Sequence, residues 1–361
     1  MAIFDKLLHS KIKNKLSKKI YEDLQKKAIN AQEAEYTNYI PIKYDSSEKI
    51  NYICSIKDGI VYSDWGFIFT KNGKFIKDNL SDHIFHHIGF FPGKFLFYKL
   101  RIKTKIKGNV FVLKSQWQNY YGHWVHDILS RLFLLQDSGL FNNIDTFIIS
   151  QGCKSKFYRE SLEIFGIKNV INVSDEKKIE CENLFFSSFP SMLPSNPFKW
   201  QCDKFLELTK NLLKKCTIDF YDKIYISRRK VKTRNILNEK ELIDILINLG
   251  YKVVYPEDYS VADQFCLFHK AKKIISILGS GLSNIVCCSS DTSILGIVAY
   301  ICYEDCHKNI CSTIGMKYYE YIENNPKNIH YFYNIENRNK FNFTIDLDKF
   351  KKVLNDFENG I

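Results

Sequence analysis

The chain has 361 residues, of which 45% are hydrophobic and 25% are charged. This balance excludes an intrinsically disordered chain, and the length predicts two domains of ordinary size. Lysine and arginine outnumber aspartate and glutamate by 52 to 40, and the net charge of +12 favours anionic partners such as a nucleotide diphosphate, a phospholipid surface or nucleic acid.

The sequence predicts a cytoplasmic protein with reduced thiols. No stretch of about 18 uncharged apolar residues occurs, and residues 1–10 lack the apolar run of a signal peptide. The eleven cysteines form no regular framework, which favours free thiols over disulfides. Two groups of potential metal ligands are too irregular in spacing to predict a metal site: Cys302, Cys306, His307 and Cys311, and His83, His86 and His87.

Residues 3–28 are predicted to form a basic amphipathic helix. Apolar side chains recur at a spacing of three and four, and lysines fill the opposite face. Such a helix either lies on an anionic membrane surface or packs against its own domain or a partner subunit. Residues 1–30 are therefore treated as an element ahead of the first domain.

A first α/β domain is predicted over residues 31–195. Residues 40–115 are strand-like, and "NYYGHWVHDILSRLFLL" (residues 119–135) predicts a helix with an apolar body. A strand, a helix and two further strands follow in "DTFIIS", "SKFYRESLEIFG", "NVINV" and "NLFFSSF". Because strands that alternate with helices form parallel sheets, we expect a Rossmann-like domain. The proline-rich "FPSMLPSNPFKW" then predicts a linker.

A second α/β domain is predicted over residues 196–340. After a helix in "DKFLELTKNLLKKC", strands and helices alternate in "KIYISRR", "NEKELIDILINLG", "YKVVYP", "VADQFCLFHKA", "KKIISILG" and "SILGIVAY". A C-terminal helix within residues 341–361 is expected to pack back on the first domain. Two such domains facing each other across a cleft would bind a ligand at the carboxyl ends of their strands.

The strand in "KIYISRR" ends in Arg228 and Arg229 and is followed by a basic loop. The next helix begins at Asn238, and Asn238 with Glu241 resembles a capping box. Arginines at the carboxyl end of a strand, beside a helix N-terminus, predict a site for a diphosphate. The alternative is a solvated basic loop without a ligand.

A glycine loop follows the strand in "KKIISILG". Gly279, Ser280 and Gly281 allow a ligand to approach the backbone closely. Ser283 and Asn284 then open a helix, whose free N–H groups favour anions. The loop is not a dinucleotide fingerprint, because Asn284 stands where the third glycine would be.

Taken together, "NYYGHWVHDILSRL", "YISRRKVKTRNILNE" and "GYKVVYPEDYSVADQFCLFHKAKKIISILGSGLSNI" resemble glycosyltransferase family 61. Bacterial members of this family are typically capsular polysaccharide biosynthesis proteins. The resemblance covers roughly residues 115–300. It implies a GT-B architecture of two Rossmann-like domains and an inverting, metal-independent transfer from a nucleotide sugar, with no cofactor.

The resemblance also implies which residues bind the donor and which act on the acceptor. The donor motifs fall on Arg228, Arg229, Asn238, Glu239, Glu257, Gln264, Gly279, Ser280, Gly281 and Asn284. The amino-terminal motif falls on His123 and Asp127. Two positions depart from the family. Leu278 stands where a histidine is frequent, and Gly296 stands where a glutamate is frequent after the last strand of the donor domain, which weakens the expectation of a ribose or base contact.

His123 and Asp127 lie four residues apart, so they share one face of the predicted helix at its first turn. An inverting transfer needs a base near the acceptor hydroxyl. In one interpretation Asp127 is this base and His123 orients it or the acceptor. In a second, His123 is the base and Asp127 holds it. In a third, Asp127 favours the helix dipole and His123 is a core group. The nearby aromatic side chains are predicted to be core: Trp117, Tyr120, Tyr121 and Trp124.

The sequence therefore predicts an inverting glycosyltransferase that builds a surface polysaccharide, either capsule or lipopolysaccharide. The expected partners are a nucleotide sugar, with a UDP-sugar favoured, and a glycan or lipid-linked acceptor. If residues 3–28 bind lipid, the protein would be peripheral on the inner face of the cytoplasmic membrane. The alternatives are a degenerate member that binds glycan or membrane without turnover and a dinucleotide-dependent oxidoreductase. Nucleic acid is not expected, because the aromatics are not interleaved with the basic runs.

Overall fold

The computed structural model describes residues 22, 26–35, 37–62, 65–80, 103–115, 117–173, 178–191, 196–331 and 341–361. Most of the predicted amino-terminal helix lies outside these residues, as do His83, His86 and His87. The chain forms two compact units, Met1–Pro197 and Phe198–Ile361. Within the described ranges, no helix is both long enough and apolar enough to span a bilayer.

The N-terminal unit contains a mixed sheet. Its strands are β1 (Ala28–Ile29), β2 (Thr37–Ile42), β3 (Asn51–Tyr62), β4 (Phe67–Phe69), β5 (Phe75–Ile76), β6 (Lys103–Val112), β7 (Thr146–Ser150), β8 (Val170–Val173) and β9 (Lys178–Ser187). Their order is β1-β5-β4-β3-β9-β6-β7-β8, and β2 pairs with β3. Strands β9, β6, β7 and β8 run parallel to one another, whereas β3 is antiparallel to β2, β4 and β9.

The parallel arrangement predicted for the strands that alternate with helices is present from β6 onward, whereas the strand-like residues before β6, for which no direction was predicted, form antiparallel pairs. The connections from β2 to β3, from β3 to β4 and from β4 to β5 are too short for a parallel crossover, so each strand turns back on its predecessor. A helix separates β6 from β7 and another separates β7 from β8, which is the arrangement that makes these strands parallel.

Helix α1 follows β6 and consists of three consecutive segments, Tyr121–His123, the π-helical Trp124–Leu129 and Ser130–Asp137. Helix α2 (Lys156–Ile164) connects β7 and β8, and single 3-10 turns lie at Ala31–Glu33 and Phe141–Asn143. The apolar body predicted for α1 is fully buried, in side chains that include Val125, Ile128, Leu129 and Leu132. Burial of this stripe holds α1 on the unit and fixes the position of its first turn.

The C-terminal unit is built on a five-stranded parallel sheet, which contains the four strands predicted from the sequence and a fifth, β14, that was not predicted. Its strands are β10 (Lys223–Ile226), β11 (Lys252–Val254), β12 (Lys273–Ile277), β13 (Ser293–Ala299) and β14 (Lys317–Glu323), in the order β11-β10-β12-β13-β14. A separate hairpin pairs β15 (Ile329–Tyr331) with β16 (Phe341–Phe343).

Five helices and four 3-10 segments are described in this unit. The helices are α3 (Lys199–Leu213), α4 (Glu239–Asn248), α5 (Val261–Lys270), α6 (Cys306–Ile314) and α7 (Leu347–Asn359). The 3-10 segments are Pro256–Asp258, Ser280–Cys287, Tyr300–Cys302 and Pro326–Asn328. Strands β10, β11, β12 and β13 thus alternate with helical segments, which explains why all neighbouring strands of the sheet are parallel.

The C-terminal helix α7 packs on the C-terminal unit, which corrects the expectation that it packs back on the first domain. Phe350, Leu354 and Phe357 are buried in one core with side chains of β10, β12 and β13. Their spacing of three and four places them on one helix face. The end of the helix is fixed by Glu358, whose Oε2 accepts from Nζ of Lys223 at 2.7 Å and from Nζ of Lys273 at 3.1 Å.

Replacing Phe357 with alanine should lower the free energy of unfolding by about 3–5 kcal/mol, because it leaves a cavity in a fully packed core. Urea denaturation followed by circular dichroism measures this change. Lys352→Ala, on the exposed face of the same helix, is the matched control and should change the free energy of unfolding by less than about 0.5 kcal/mol. Equal effects of the two substitutions would contradict the packing of α7.

Candidate functional site

The candidate site of the C-terminal unit lies at the carboxyl ends of β10 and β12. Along the sheet, β11 lies on one side of β10 and β12 lies on the other, so the strand order reverses at this point. Open α/β sheets bind ligands where the order reverses, because the connections leave in opposite directions and open a crevice. Arg228 follows β10 here, and Gly279 follows β12.

The guanidinium of Arg228 lies directly against the backbone of Gly279. A Cβ at position 279 would clash with Nη1 of Arg228 and would lie 3.5 Å from Nη2 of Arg234. The absence of a side chain at Gly279 therefore allows two arginines to reach the same stretch of backbone. This is the close approach for which glycine is needed at this position.

The two arginines carry positive charge that is only partly compensated. Arg228 is buried, with 9% of its surface exposed. Burial and the charge of Arg234 lower the pKa of Arg228 to about 10, and the charge of Glu257 opposes this change. Arg228 therefore stays cationic at neutral pH. Its Nη2 donates to the Thr233 carbonyl at 3.3 Å, but Nε of Arg228 and Nε of Arg234 are buried without a partner among the described residues. Cations whose buried Nε donors are unused, one of them on the buried Arg228 and one on the half-buried Arg234, are suited to an anion.

Arg234 is held in place by the hairpin strand β16. Its backbone is left-handed, with φ at 60°, and its N–H donates to the Phe341 carbonyl at 2.6 Å. The next residue, Asn235, donates its N–H to Oδ1 of Asn342 at 3.0 Å. A left-handed backbone is unfavourable for a residue other than glycine and persists where the surroundings enforce it. The C-terminal hairpin therefore determines where this arginine points.

Asn238 and Glu239, at the start of α4, hydrogen-bond to residues of the C-terminal unit on either side of the arginine loop. The Asn238 amide donates to the carbonyl of Ile345 and accepts from its N–H, both at 3.0 Å, and makes no cap bond to α4. The predicted capping box is therefore wrong, because Ile345 takes both atoms of this amide. Oε1 of Glu239 accepts from the Tyr225 hydroxyl at 2.9 Å and from the Ser227 hydroxyl at 2.7 Å.

Gln264 and Asn284 connect α5 to the glycine loop. Oε1 of Gln264 accepts from Nδ2 of Asn284 at 3.0 Å, and Nε2 of Gln264 donates to the carbonyls of Pro256 at 2.9 Å and Tyr259 at 3.3 Å. Both side chains are buried. This amide network fixes the loop after β12 relative to the turn after β11. Gln264 and Asn284, which were predicted to bind the donor, therefore act on the site by holding these two backbone segments.

The remaining predicted residues of this unit lie nearer to solvent. Glu257 is exposed in the turn after β11 and is close enough to act on the charge of Arg228, whereas the Arg229 side chain is exposed. Ser280 and Gly281 are half-buried in the 3-10 segment that follows Gly279. The second arginine at Gly279 is thus Arg234, which the sequence showed only as part of a basic loop.

The position of Gly296 differs from expectation, and Cys302 lies close to the arginine pair. Gly296 lies in the middle of β13 and not after it, and a Cβ there would come 2.5 Å from the Tyr318 hydroxyl and 2.7 Å from Cδ1 of Leu278. The departure from the family is therefore a packing feature. Cys302 lies beside Arg234 and donates to the Ala299 carbonyl at 3.4 Å. Across the described residues, no group of three or more metal-ligating side chains could hold an ion.

The candidate site of the N-terminal unit lies at the start of α1, which follows the carboxyl end of β6. Nδ1 of His123 lies 2.9 Å from Oδ2 of Asp127, and Oδ1 of Asp127 accepts from the Ser191 hydroxyl at 3.0 Å. Ser191 follows β9, the parallel neighbour of β6, so two strand ends meet at this carboxylate. The Asp127 side chain is 2% exposed and that of His123 is 22% exposed.

Aromatic rings surround His123. The Trp117 ring lies 5.1 Å from the imidazole centroid and the Tyr120 ring lies 6.3 Å away, and Tyr120 is 60% exposed. Trp124 is core, as predicted, with Nε1 donating to Ser161 at 2.8 Å, whereas the exposure of Tyr120 shows that the same prediction is wrong for Tyr120. The π-helical segment begins directly after His123, and such segments occur frequently at functional sites.

The contact between His123 and Asp127 determines which nitrogen can accept a proton. A carboxylate only accepts hydrogen bonds, so Nδ1 of a neutral His123 carries the hydrogen and Nε2 carries the lone pair. Both oxygens of Asp127 have partners and almost no exposed surface, whereas the imidazole reaches solvent. Of the two side chains, that of His123 is therefore the one open to solvent.

Residues 121–295 match the model described as Glycosyltransferase 61. The segment contains His123, Asp127 and every predicted donor residue, and it ends inside β13. No curated protein matches the chain.

Replacing Gly279 with alanine should displace the Arg228 guanidinium and weaken binding of inorganic pyrophosphate by about tenfold or more, the scale of one charge-assisted hydrogen bond. Calorimetry at fixed ionic strength measures the affinity. Gly281→Ala is the matched control, since a Cβ at position 281 meets its nearest neighbours at 3.8 and 3.9 Å. If pyrophosphate binds both variants equally, the Arg228–Gly279 contact does not form an anion site.

Proposed function

We propose that this chain, a member of glycosyltransferase family 61 over residues 121–295, transfers a sugar from a nucleotide diphosphate sugar to the hydroxyl of an acceptor glycan. The proposal that the sugar donor is a nucleotide diphosphate sugar rests on the arginine pair at Gly279. There, at the point where the strand order reverses, Arg228 and Arg234 each have a buried N–H group without a hydrogen-bond partner among the described residues. A diphosphate supplies the negative charge and the acceptor oxygens that this pair lacks.

In the proposed reaction His123 is the base and Asp127 orients it. These roles are the reverse of those favoured from the sequence, in which Asp127 is the base. Asp127 is buried with both oxygens hydrogen-bonded, so it is better suited to hold the imidazole than to meet a hydroxyl. Nε2 of His123 takes the proton of the acceptor hydroxyl. Trp117 and Tyr120, which flank the imidazole, are suited to pack against a sugar ring.

The proposed transfer is a single inverting displacement, as the resemblance to the family implies. The acceptor oxygen attacks the anomeric carbon while its proton passes to His123. The bond between the anomeric carbon and the phosphate oxygen breaks, and the nucleoside diphosphate leaves with that electron pair. Arg228 and Arg234 stabilise the charge that develops on the leaving group, so the proposal requires no metal ion.

We also propose the identity of the donor, the acceptor and the product from the resemblance to the family. The donor is a UDP-sugar, the acceptor is a glycan or a lipid-linked glycan, and the product is a surface polysaccharide of the capsule or lipopolysaccharide type. A cytoplasmic protein with a peripheral position on the inner membrane face would meet such acceptors, and the net charge of +12 favours an anionic surface.

Arg234→Ala should weaken UDP binding by about tenfold or more, because it removes a cation from the arginine pair. Calorimetry with and without EDTA tests the affinity and the independence from metal together. Lys232→Ala, an exposed cation of the same loop, should leave the affinity within about twofold. UDP binding that is absent from the unaltered protein, or lost on addition of EDTA, would contradict the proposed donor site.

His123→Ala should lower turnover by about a hundredfold or more while leaving UDP affinity unchanged, because the base acts on the acceptor. Asp127→Asn should also lower turnover, since an amide can leave the imidazole in the wrong tautomer. UDP release from a panel of UDP-sugars, with a lipid-linked glycan as acceptor, measures both. If Asp127→Asn abolishes turnover and His123→Ala retains most of it, the base is Asp127.

A further inference from the structure

A turn with exposed aromatic side chains follows β13 in the C-terminal unit. It is the 3-10 segment Tyr300–Cys302, which begins directly after the strand ends at Ala299. Tyr300 is 40% exposed, and Tyr303, the residue after the segment, is 39% exposed. The proposed reaction assigns neither ring a role.

The register of the sheet places this turn at the same edge as the arginine pair. Strands β12 and β13 are parallel neighbours, and the N–H of Leu278 donates to the Ile297 carbonyl at 3.0 Å. Gly279 and Ala299 therefore leave their strands at the same level. Because neighbouring strands lie about 5 Å apart, the backbone of Tyr300 is within roughly 10 Å of that of Gly279.

Cys302 connects the turn to the arginine pair. Its Sγ donates to the Ala299 carbonyl at 3.4 Å, which folds the turn back onto the end of β13. A second hydrogen bond joins the Cys302 thiol to the side chain of Arg234. The turn thus contacts one of the two arginines, and the exposed tyrosines lie on either side of this contact in the chain.

The two tyrosines differ in what holds their side chains. The Tyr303 hydroxyl donates to Oδ1 of Asp305 at 3.0 Å. The Tyr300 side chain has neither a hydrogen bond nor a ring contact among the described residues. Of the two rings, that of Tyr300 is therefore the one that a ligand can cover without breaking an existing contact.

The chemistry of a nucleoside diphosphate fits this arrangement of charge and ring. Nε of Arg228 and Nε of Arg234 lack partners among the described residues, and a diphosphate supplies acceptors for both. The base lies one ribose away from the diphosphate, so it reaches the rim of the same sheet edge. Every base has a π face, on which an aromatic side chain can stack whatever the sequence of polar groups around the ring.

We propose that Tyr300 stacks on the base of the nucleotide and thereby selects a nucleoside diphosphate over a bare diphosphate. This proposal rests on the proposed donor class and names the side chain that recognises the nucleoside half. Tyr300 lies beyond the segment that matches the family model, which ends at residue 295. The contact is made by the ring and does not require the hydroxyl.

Paired calorimetric titrations with UDP and with inorganic pyrophosphate separate the base from the diphosphate. Tyr300→Ala should weaken UDP binding by about tenfold or more and leave pyrophosphate binding within about twofold. Tyr300→Phe retains the ring and should keep both affinities within about twofold. A role of Tyr300 in the shape of the turn alone would lower both affinities together, because the turn contacts Arg234.

Phe220→Ala is the matched control for the loss of an exposed aromatic ring. Phe220 is 37% exposed and precedes the amino end of β10, at the edge of the sheet opposite to the arginine pair. Its replacement should change neither affinity by more than about twofold.

A photocrosslink tests the same contact in the unaltered protein, which keeps the proposal testable if Tyr300→Ala does not fold. UDP that carries iodine on its uracil ring should attach on irradiation to Tyr300, as mass spectrometry of the peptides shows. UDP binding unchanged by Tyr300→Ala, an equal loss of UDP and pyrophosphate binding, or attachment at another residue overturns this proposal and leaves the donor class intact. If UDP does not bind the unaltered protein, the proposed donor class fails, and the role of Tyr300 fails with it.

Discussion

The contact between the Arg228 guanidinium and the backbone of Gly279 is the feature on which the C-terminal site depends. It exists because β10 and β12 are parallel neighbours whose connections leave in opposite directions, so the residue after each strand faces the crevice between them. A side chain at Gly279 would take the place of the guanidinium. The amide of Gln264 then fixes the glycine loop from α5, so the fold presents the site with little freedom to rearrange.

The second arginine depends on a part of the chain beyond the family match, which ends at residue 295. Arg234 has a left-handed backbone that β16 enforces through the Phe341 carbonyl, and Asn238 is bound to the backbone of Ile345. Strand β16 of the C-terminal hairpin and the following Ile345 therefore contact the arginine loop directly. They hold the arginine loop in a conformation that its own residues do not favour.

Local patterns in the sequence predicted the elements of the C-terminal unit from α3 to β13 and helix α7, but not α6, β14 or the hairpin of β15 and β16. Arg228 and Gly279 could also be predicted, because each comes after a buried apolar run and the carboxyl ends of parallel strands meet at one edge. Arg234 could not be predicted, because its position depends on pairing with a strand far along the chain. The antiparallel half of the first sheet was missed, since strand-like segments do not specify their register. The spacing of His123 and Asp127 predicted their contact but not the burial that separates their roles.

Positive charge is uncompensated in one candidate site and lies beside a carboxylate in the other. This difference matches the groups that the two sites are proposed to bind. Arg228 and Arg234 are like charges with unused donors, an arrangement that a diphosphate completes and that no neutral ligand would satisfy. In the N-terminal unit, the charge of Asp127 acts on the buried Arg131, and the carboxylate of Asp127 also contacts the imidazole of His123. Charge is left uncompensated where the proposed ligand is an anion, and it is balanced where the proposed ligand is a neutral hydroxyl that must give up its proton.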